Sequence, residues 1–333
     1  MKNPRIVPIL IAVCVVLAVA LVLALTIGRQ PAQAKVYRIG VTQIITHPAL
    51  DRCRQGFIDQ MAAEGFIEGQ NVYYILRNAE GDMPTASSIA QYFVSTKVDL
   101  IFSIATPTTQ ACASAVQGTD IPVVFGAVTD PVAGGFAESW ERPGGQVTGA
   151  SDWADVEAQV KLGMDIHPAQ RLGVIYNAGE VNSVVQINEL KKVKASLNIT
   201  EIVEATAAST ADVHAAAMSL VGRVDAIWVP SDNTVAAAIQ SVVAVCEEYD
   251  IPLFASDVDM ARSGAISGLG LDYYVNGKTA GQLAARVLKG ENPGDIPIAT
   301  TPMTIVYLCP AAAEKMGVTI PEAVLATATE VCE

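Results

Sequence analysis

Basic charge, histidine and aromatic side chains are all scarce in this sequence. Lys and Arg number 21 against 34 Asp and Glu, a formal charge of −13. A nucleic-acid binder needs a basic face to displace counterions, so that class is excluded. Three histidines, far apart, give no support to a histidine metal site, and the six cysteines have no metal-ligand spacing. No metal or other cofactor is expected. Enzyme signatures are missing as well: there is no G-x-S-x-G, no P-loop and no H-E-x-x-H. Gly268-Leu269-Gly270 is too short for a dinucleotide fingerprint. Aromatics make up only 6% of the chain, and small apolar residues fill much of the rest. That suits closely packed parallel sheets.

One long apolar run is present. Residues 6–28 carry no charge and are long enough to cross a bilayer. Lys2 and Arg5 precede the run, so the positive-inside bias places the remainder outside the cytoplasm. Ala32-Gln33-Ala34 offers a small-residue cleavage site after Ala34. A membrane anchor and a cleaved signal peptide are therefore both open, with a linker to residue 35. Cys14 lies inside the run after Val13, a poor position for lipidation. Cys53, Cys112 and Cys246 fall in alanine-rich helical contexts and read as small core residues. Cys309 and Cys332 complete the set, and disulfide pairing is left open.

From residue 36 onward, strands and helices alternate, which predicts parallel βαβ units covered on both faces. Buried strands are predicted at 37–43 (YRIGVTQ), 71–76, 98–105 and 121–128. Helices are predicted at 49–64 and 85–95. The pattern then repeats. Arg-Ile-Gly-Val at 38 returns as Arg-Leu-Gly-Val at 171. Val-Asp-Leu-Ile at 98 returns as Val-Asp-Ala-Ile at 224, and Asp-Ile-Pro-Val at 120 as Asp-Ile-Pro-Leu at 250. Three short matches in one order point to an internal duplication and two similar lobes. The first lobe is placed at 36–149 and about 274–300, the second at 150–273 and about 301–333. The fold class is α/β: two doubly wound parallel-sheet lobes joined by a hinge, preceded by the N-terminal helix.

Ligands of doubly wound sheets bind beyond the carboxyl ends of the strands. Here those ends carry Gln43 with His47, Thr106 with Thr108, and Thr129 with Asp130. In the second half they carry Asn177 with Glu180, Asn182 and Ser183, then Ser231, Asp232, Asn233 and Thr234, then Ser256 and Asp257. Ser151, Asp152 and Tyr273 lie on the expected crossovers. Capping of the following helices is the competing explanation for any one of these residues. As a set they supply what a zwitterion needs. Hydroxyls and free amides at a helix start hold a carboxylate, while Asp130, Asp232 and Asp257 face an ammonium. Asp259 reads as a helix cap. His167 and His214 read as structural or solvated.

Longer stretches carry a resemblance. GVTQIITHPALDRCRQGF at 40–57, FVSTKVDLIFSIATPTTQA at 93–111 and PVVFGAVTDPVAGG at 122–135 are three of them. IYNAGEVNSVVQINELK at 175–191, VDAIWVPSDNTV at 224–235 and IPLFASD at 251–257 are the others. Together they resemble the extracytoplasmic solute-binding proteins of ABC importers, of type I periplasmic-binding-protein fold, in the tryptophan/tyrosine-binding branch. The resemblance implies no catalysis, a hinge closing on one aromatic amino acid (Trp, Tyr or Phe), and delivery to a membrane permease. It places Thr106 and Thr108 at the carboxylate, Asp232 or Asp257 at the ammonium, and Gln43, His47, Asn177 and Tyr273 around the side chain. A sugar or nucleoside ligand, a sensor ectodomain and an exported hydrolase are the alternatives. Sugar sites stack rings on aromatics, for which Trp140, Trp153 and Trp228 are the candidates.

Overall fold

Short apolar segments that are β-branched or aromatic, bounded by turn residues, build two sheets in the computed structural model. It describes residues 35–303 and 305–332, with residues 8, 11, 12 and 14–20 near the N-terminus. The chain divides into two compact units, 1–36 and 37–333. The apolar run at 6–28 falls largely outside the described residues. Among the described residues, no helix is long and apolar enough to cross a membrane.

In the larger unit, the first sheet contains β1 (Tyr37–Gln43), β2 (Val72–Asn78), β3 (Leu100–Ile104), β4 (Val123–Val128) and β5 (Val147–Ser151). The second contains β6 (Arg171–Tyr176), β7 (Glu201–Thr206), β8 (Ala226–Val229), β9 (Leu253–Ala255) and β10 (Ser267–Gly270). Late in the chain β11 (Ala299–Thr300) joins the first sheet, while β12 (Ile305–Leu308) and β13 (Glu330–Val331) join the second. The strand orders are β11-β5-β4-β3-β1-β2 and β13-β12-β10-β9-β8-β6-β7. The order β2-β1-β3-β4-β5 is thus the same as β7-β6-β8-β9-β10. Each repeated sequence landmark falls at topologically equivalent strands. All pairings are parallel except that of β12 with β10.

Both faces of the central strands are covered, so β3, β4 and β8 are buried at every residue. This is why they read as continuous apolar runs rather than alternations. Each sheet has its own core. Phe57 and Phe102 stack at 3.7 Å in the first, and fully buried Trp228 and Phe254 anchor the second. Cys53, Cys112 and Cys246 are free and buried, as small core residues should be. Cys309 and Cys332 form a disulfide that ties β12 to β13.

The chain passes between the sheets between β5 and helix Val156–Ile166, between β10 and helix Tyr273–Leu288, and again between β11 and β12. Helix Tyr273–Leu288 lies against helix Pro48–Ala63 of the first half, with two glycines at the crossing. A Cβ on Gly277 would stand 1.9 Å from the Cys53 carbonyl oxygen, and one on Gly56 2.0 Å from that of Tyr274. Nothing larger than hydrogen fits there. The contact brings Asn276 under the ends of β4 and β5. Its Oδ1 accepts from Ala127 N–H at 2.9 Å, and its Nδ2 donates to the Ser151 carbonyl and the Thr301 hydroxyl at 3.0 Å each.

Candidate functional site

The carboxyl ends of the two sheets enclose a small cavity of about 20 Å³, room for about one water. His47, Leu50, Ala127, Thr129, Asp152 and Tyr273 line one part. Asn182, Ser231, Asp232, Asn233, Ala236 and Asp257 line the rest. The wall contains three carboxyl groups and neither Lys nor Arg. A second hollow, of about 210 Å³, lies between Ile44, Ile45, Met83 and Pro107 on one side and Asn177, Glu180 and Thr234 on the other. Asn233 lines both spaces. His47 Nε2 and Asn233 Oδ1 meet at 3.3 Å, a hydrogen bond joining first-half and second-half residues.

Backbone geometry aims the first-half contribution. Ala105 after β3 and Ala127 in β4 have φ of 81° and 54°, a region a residue with a Cβ rarely occupies. Ala127 falls where the β4–β5 register shifts. The helix Thr106–Ala115 starts directly after Ala105 with Pro107 in its first turn. The Thr106 hydroxyl is buried there and has no hydrogen-bond partner. That of Thr108 turns back onto the Ile104 carbonyl at 2.6 Å and is spent locally.

The three acids differ in what remains free. Asp232 caps the helix Asn233–Ala237, accepting from Val235 N–H at 2.8 Å. Its other oxygen accepts from Asn177 N–H and the Ser183 hydroxyl, each at 2.6 Å. Both oxygens are occupied. Asp257 caps the helix Val258–Arg262 through Met260 N–H at 2.7 Å, using Oδ1. Asp152 accepts from the Tyr273 hydroxyl at 2.8 Å with one oxygen, and the other is buried without a partner. Asn182 donates to Glu180 and to the Ser231 carbonyl, leaving its Oδ1 unpartnered.

Charge burial here is uncompensated by any cation. Burial, with Asp259 adding to it, pushes the Asp257 carboxyl up to about 7. Burial also raises Asp152, against hydrogen bonds from Tyr273 and Thr129. Burial and the neighbouring Glu180 raise Asp232, against its three donors. Burial lowers His47, opposed by the Asn233 bond and by Glu180, Asp51 and Asp259. The imidazole is therefore neutral at pH 7.

Of the strand-end residues picked from sequence, His47, Thr129, Asp152, Asn182, Asp232, Asn233, Asp257 and Tyr273 line the cavity. Asn177 lines the outer hollow. Ser183 lies behind Asp232. Gln43 does not reach the cavity: it bonds Ile45, Asp51 and Arg54 and lines a separate surface hollow. Asp130 accepts from Val132 and Ala133 N–H in its own turn. The Ser151 hydroxyl donates to the Thr129 carbonyl and accepts from Trp153 N–H. The cap expected at Asp259 is made by Asp257. Asp259 sits inside the helix and pairs with Arg262 at 2.8 Å and with Arg52 at 3.8 Å. None of the three tryptophans lines the cavity.

Glu180 carries more of the site than its position suggested. It is buried and accepts from Asn182, Asn233 and Thr234 through five donors. An acid just before a helix is an ordinary capping signal, and only the fold gathers those donors around it.

Two doubly wound halves with facing strand ends, and an enclosed polar cavity between them, define a bilobal small-molecule-binding protein. The family model described as "ABC transporter substrate binding protein" matches residues 38–332, and the chain belongs to that family. Membership makes it an extracytoplasmic binding component and not an enzyme. It is 41% identical over 271 residues to a tyrosine-binding protein of Clostridioides difficile, covering 81% of this chain and 78% of that one. It is similar to a Streptococcus pneumoniae ABC domain in complex with L-Trp, at 32% identity and TM-score 0.85, covering 90% of this chain and 100% of that one. It is also similar to a ligand-free, open substrate binding protein with adhesive properties from Clostridium difficile. There the identity is 36% and the TM-score 0.66, covering 90% and 99%.

Proposed function

We propose that this protein captures an aromatic amino acid, tyrosine or tryptophan, between its lobes and presents it to an ABC permease. The observation that carries the reading is the cavity wall. The Asp152 and Asn182 oxygens left without partners, together with the Asp257 carboxyl, are acceptors with no basic side chain among them. Three acceptors suit the three N–H groups of an ammonium. Asp257 and Asp152 are its partners in this reading, rather than Asp232, whose oxygens are taken. The Thr106 hydroxyl at its helix start receives the carboxylate. The names of the similar tyrosine-binding and tryptophan-bound proteins supply the ring.

A space of about 20 Å³ does not admit an amino acid, so uptake requires the lobes to part and close again. The overall match supports a closed arrangement here. It is better to the tryptophan-bound structure than to the open one, despite lower identity to the former. Binding energy then shifts an open–closed equilibrium. The lobes are taken as 36–149 with about 274–300, and 150–273 with about 301–333. The segment 1–35 either anchors the protein or is removed after Ala34.

Calorimetric titration with tyrosine, tyramine and 3-(4-hydroxyphenyl)propionate tests the reading. Tyrosine binds, and loss of either charged group weakens binding by about 100-fold, the scale of an unpaired buried charge. Binding of a sugar with none of the three would overturn it.

A further inference from the structure

We propose that His47 selects the ligand side chain by accepting, at Nδ1, the hydrogen bond of the single donor on a polar aromatic ring, the phenol O–H or the indole N–H. The inference rests on the aromatic-amino-acid reading above and adds which residue discriminates and why. Glu180 sets the arrangement. Its carboxylate accepts from Asn233 Nδ2 and from Asn233 N–H, and a carboxylate takes only donors. The amide of Asn233 is thereby oriented with Oδ1 toward His47 Nε2. An amide oxygen is an acceptor, so Nε2 carries the imidazole proton. Nδ1 is left as a lone-pair acceptor, with no hydrogen-bond partner among the described residues. The ring is 8% exposed and lines the cavity. Its partner Asn233 lines both the acidic cavity and the outer hollow walled by Ile44, Ile45, Met83 and Pro107. A ligand whose ammonium lies at Asp152 and Asp257 and whose ring points to the apolar side passes this junction. Phenylalanine brings no donor there and leaves Nδ1 buried and unpaired, the situation that gives polar sites their discrimination. Glu180 and Asn233 act through His47 and are positioning residues.

The test is calorimetric titration of the full chain with L-tyrosine, L-tryptophan and L-phenylalanine, using the wild type, His47→Asn, His47→Gln and Glu180→Gln. The wild type is expected to favour tyrosine and tryptophan over phenylalanine by about 10- to 100-fold. His47→Asn keeps an amide group near the Nδ1 position and retains most of that ratio. His47→Gln reaches instead to the Nε2 position and brings the ratio within about threefold. Glu180→Gln frees the Asn233 amide and lowers the ratio without abolishing binding. Equal affinity of the wild type for all three ligands, or a full ratio in His47→Gln, overturns the assignment of His47 while the aromatic reading stands. Binding of none of the three overturns both.

Discussion

If Asp257 pairs with a ligand ammonium, as proposed, it couples affinity to pH by a calculable amount. Its carboxyl sits at about 7 in the free protein because burial and Asp259 disfavour the charge. Only the ionised form pairs with an ammonium. If the ligand ammonium holds the bound carboxylate ionised, apparent affinity scales with the ionised fraction. Affinity then falls about twofold from its plateau at pH 7, about tenfold at pH 6 and about 100-fold at pH 5. Stability moves the other way. The folded pKa lies above the unfolded value of about 3.9, so between about pH 4 and 7 the native state holds the proton more tightly. This group's contribution is greatest below the unfolded pKa and is lost as pH rises through 7, by at most about 4 kcal/mol. The ligand-free protein therefore gains stability from this group on mild acidification while losing affinity. Asp257→Asn removes this group's share of both slopes, raises the Tm at pH 7.5, and weakens tyrosine binding by about 2 kcal/mol or more, roughly 30-fold. Calorimetry and thermal unfolding from pH 5 to 8 read both effects. A flat dissociation constant across that range, or wild-type affinity in Asp257→Asn, refutes the reasoning.

Three further substitutions probe the scaffold. Asn276→Ala strands the Ala127 N–H and two acceptors in a fully buried position and should cost about 2–4 kcal/mol in urea unfolding. Arg52→Ala removes the pair with Asp272 at 2.6 Å and the longer one with Asp259, which joins first-half and second-half helices. The arginine is 40% exposed, so the loss is discounted to about threefold in affinity, disappearing at high salt. Cys309→Ser opens a bridge spanning 23 residues and should lower stability by about 3 kcal/mol, measured against the oxidised wild type under the same conditions.

Much of this architecture is written in local pattern. The continuous apolar runs of β3, β4 and β8 announce parallel strands, and Thr106-Pro107 announces a helix start. The recurrence at 171, 224 and 250 announces a second copy. Which polar side chain at a strand end faces its partner sheet is not local information. Asp130 and Asp257 both follow a strand and both accept from backbone N–H groups, yet only Asp257 lines the cavity. The direction is set by the turn after each strand. At β3 and β4 that turn depends on alanines with positive φ, a conformation their residue type does not signal. Asp232 was legible as a cap and as a ligand contact. In the fold it caps, and Asn177 and Ser183 arrive from another strand end and helix to occupy its second oxygen. The disulfide depends on the pairing of β13 with β12, which no cysteine spacing encodes.

The strained alanines and the uncompensated acids belong to one physical scheme. Ala105 N–H donates to the Gly126 carbonyl at 3.0 Å, and the N–H of that same peptide, on Ala127, donates to Asn276. Two unfavourable backbone conformations, of order 1–3 kcal/mol each, are thus held by one buried asparagine on a helix that enters from the other half of the chain. The same helix begins with Tyr273, whose hydroxyl donates to Asp152. Helix Tyr273–Leu288 therefore fixes the backbone at the end of β4 and also orients one of the acids. Because its glycine contact with helix Pro48–Ala63 leaves no slack, the two adjustments are not independent. Burial opposes ionisation of these carboxyl groups, a cost that a cationic ligand offsets when the opposing wall is in place. If the ligand carries an ammonium, as proposed, a charge-burial cost on both walls makes closure depend on it, and that dependence is what a capture protein requires.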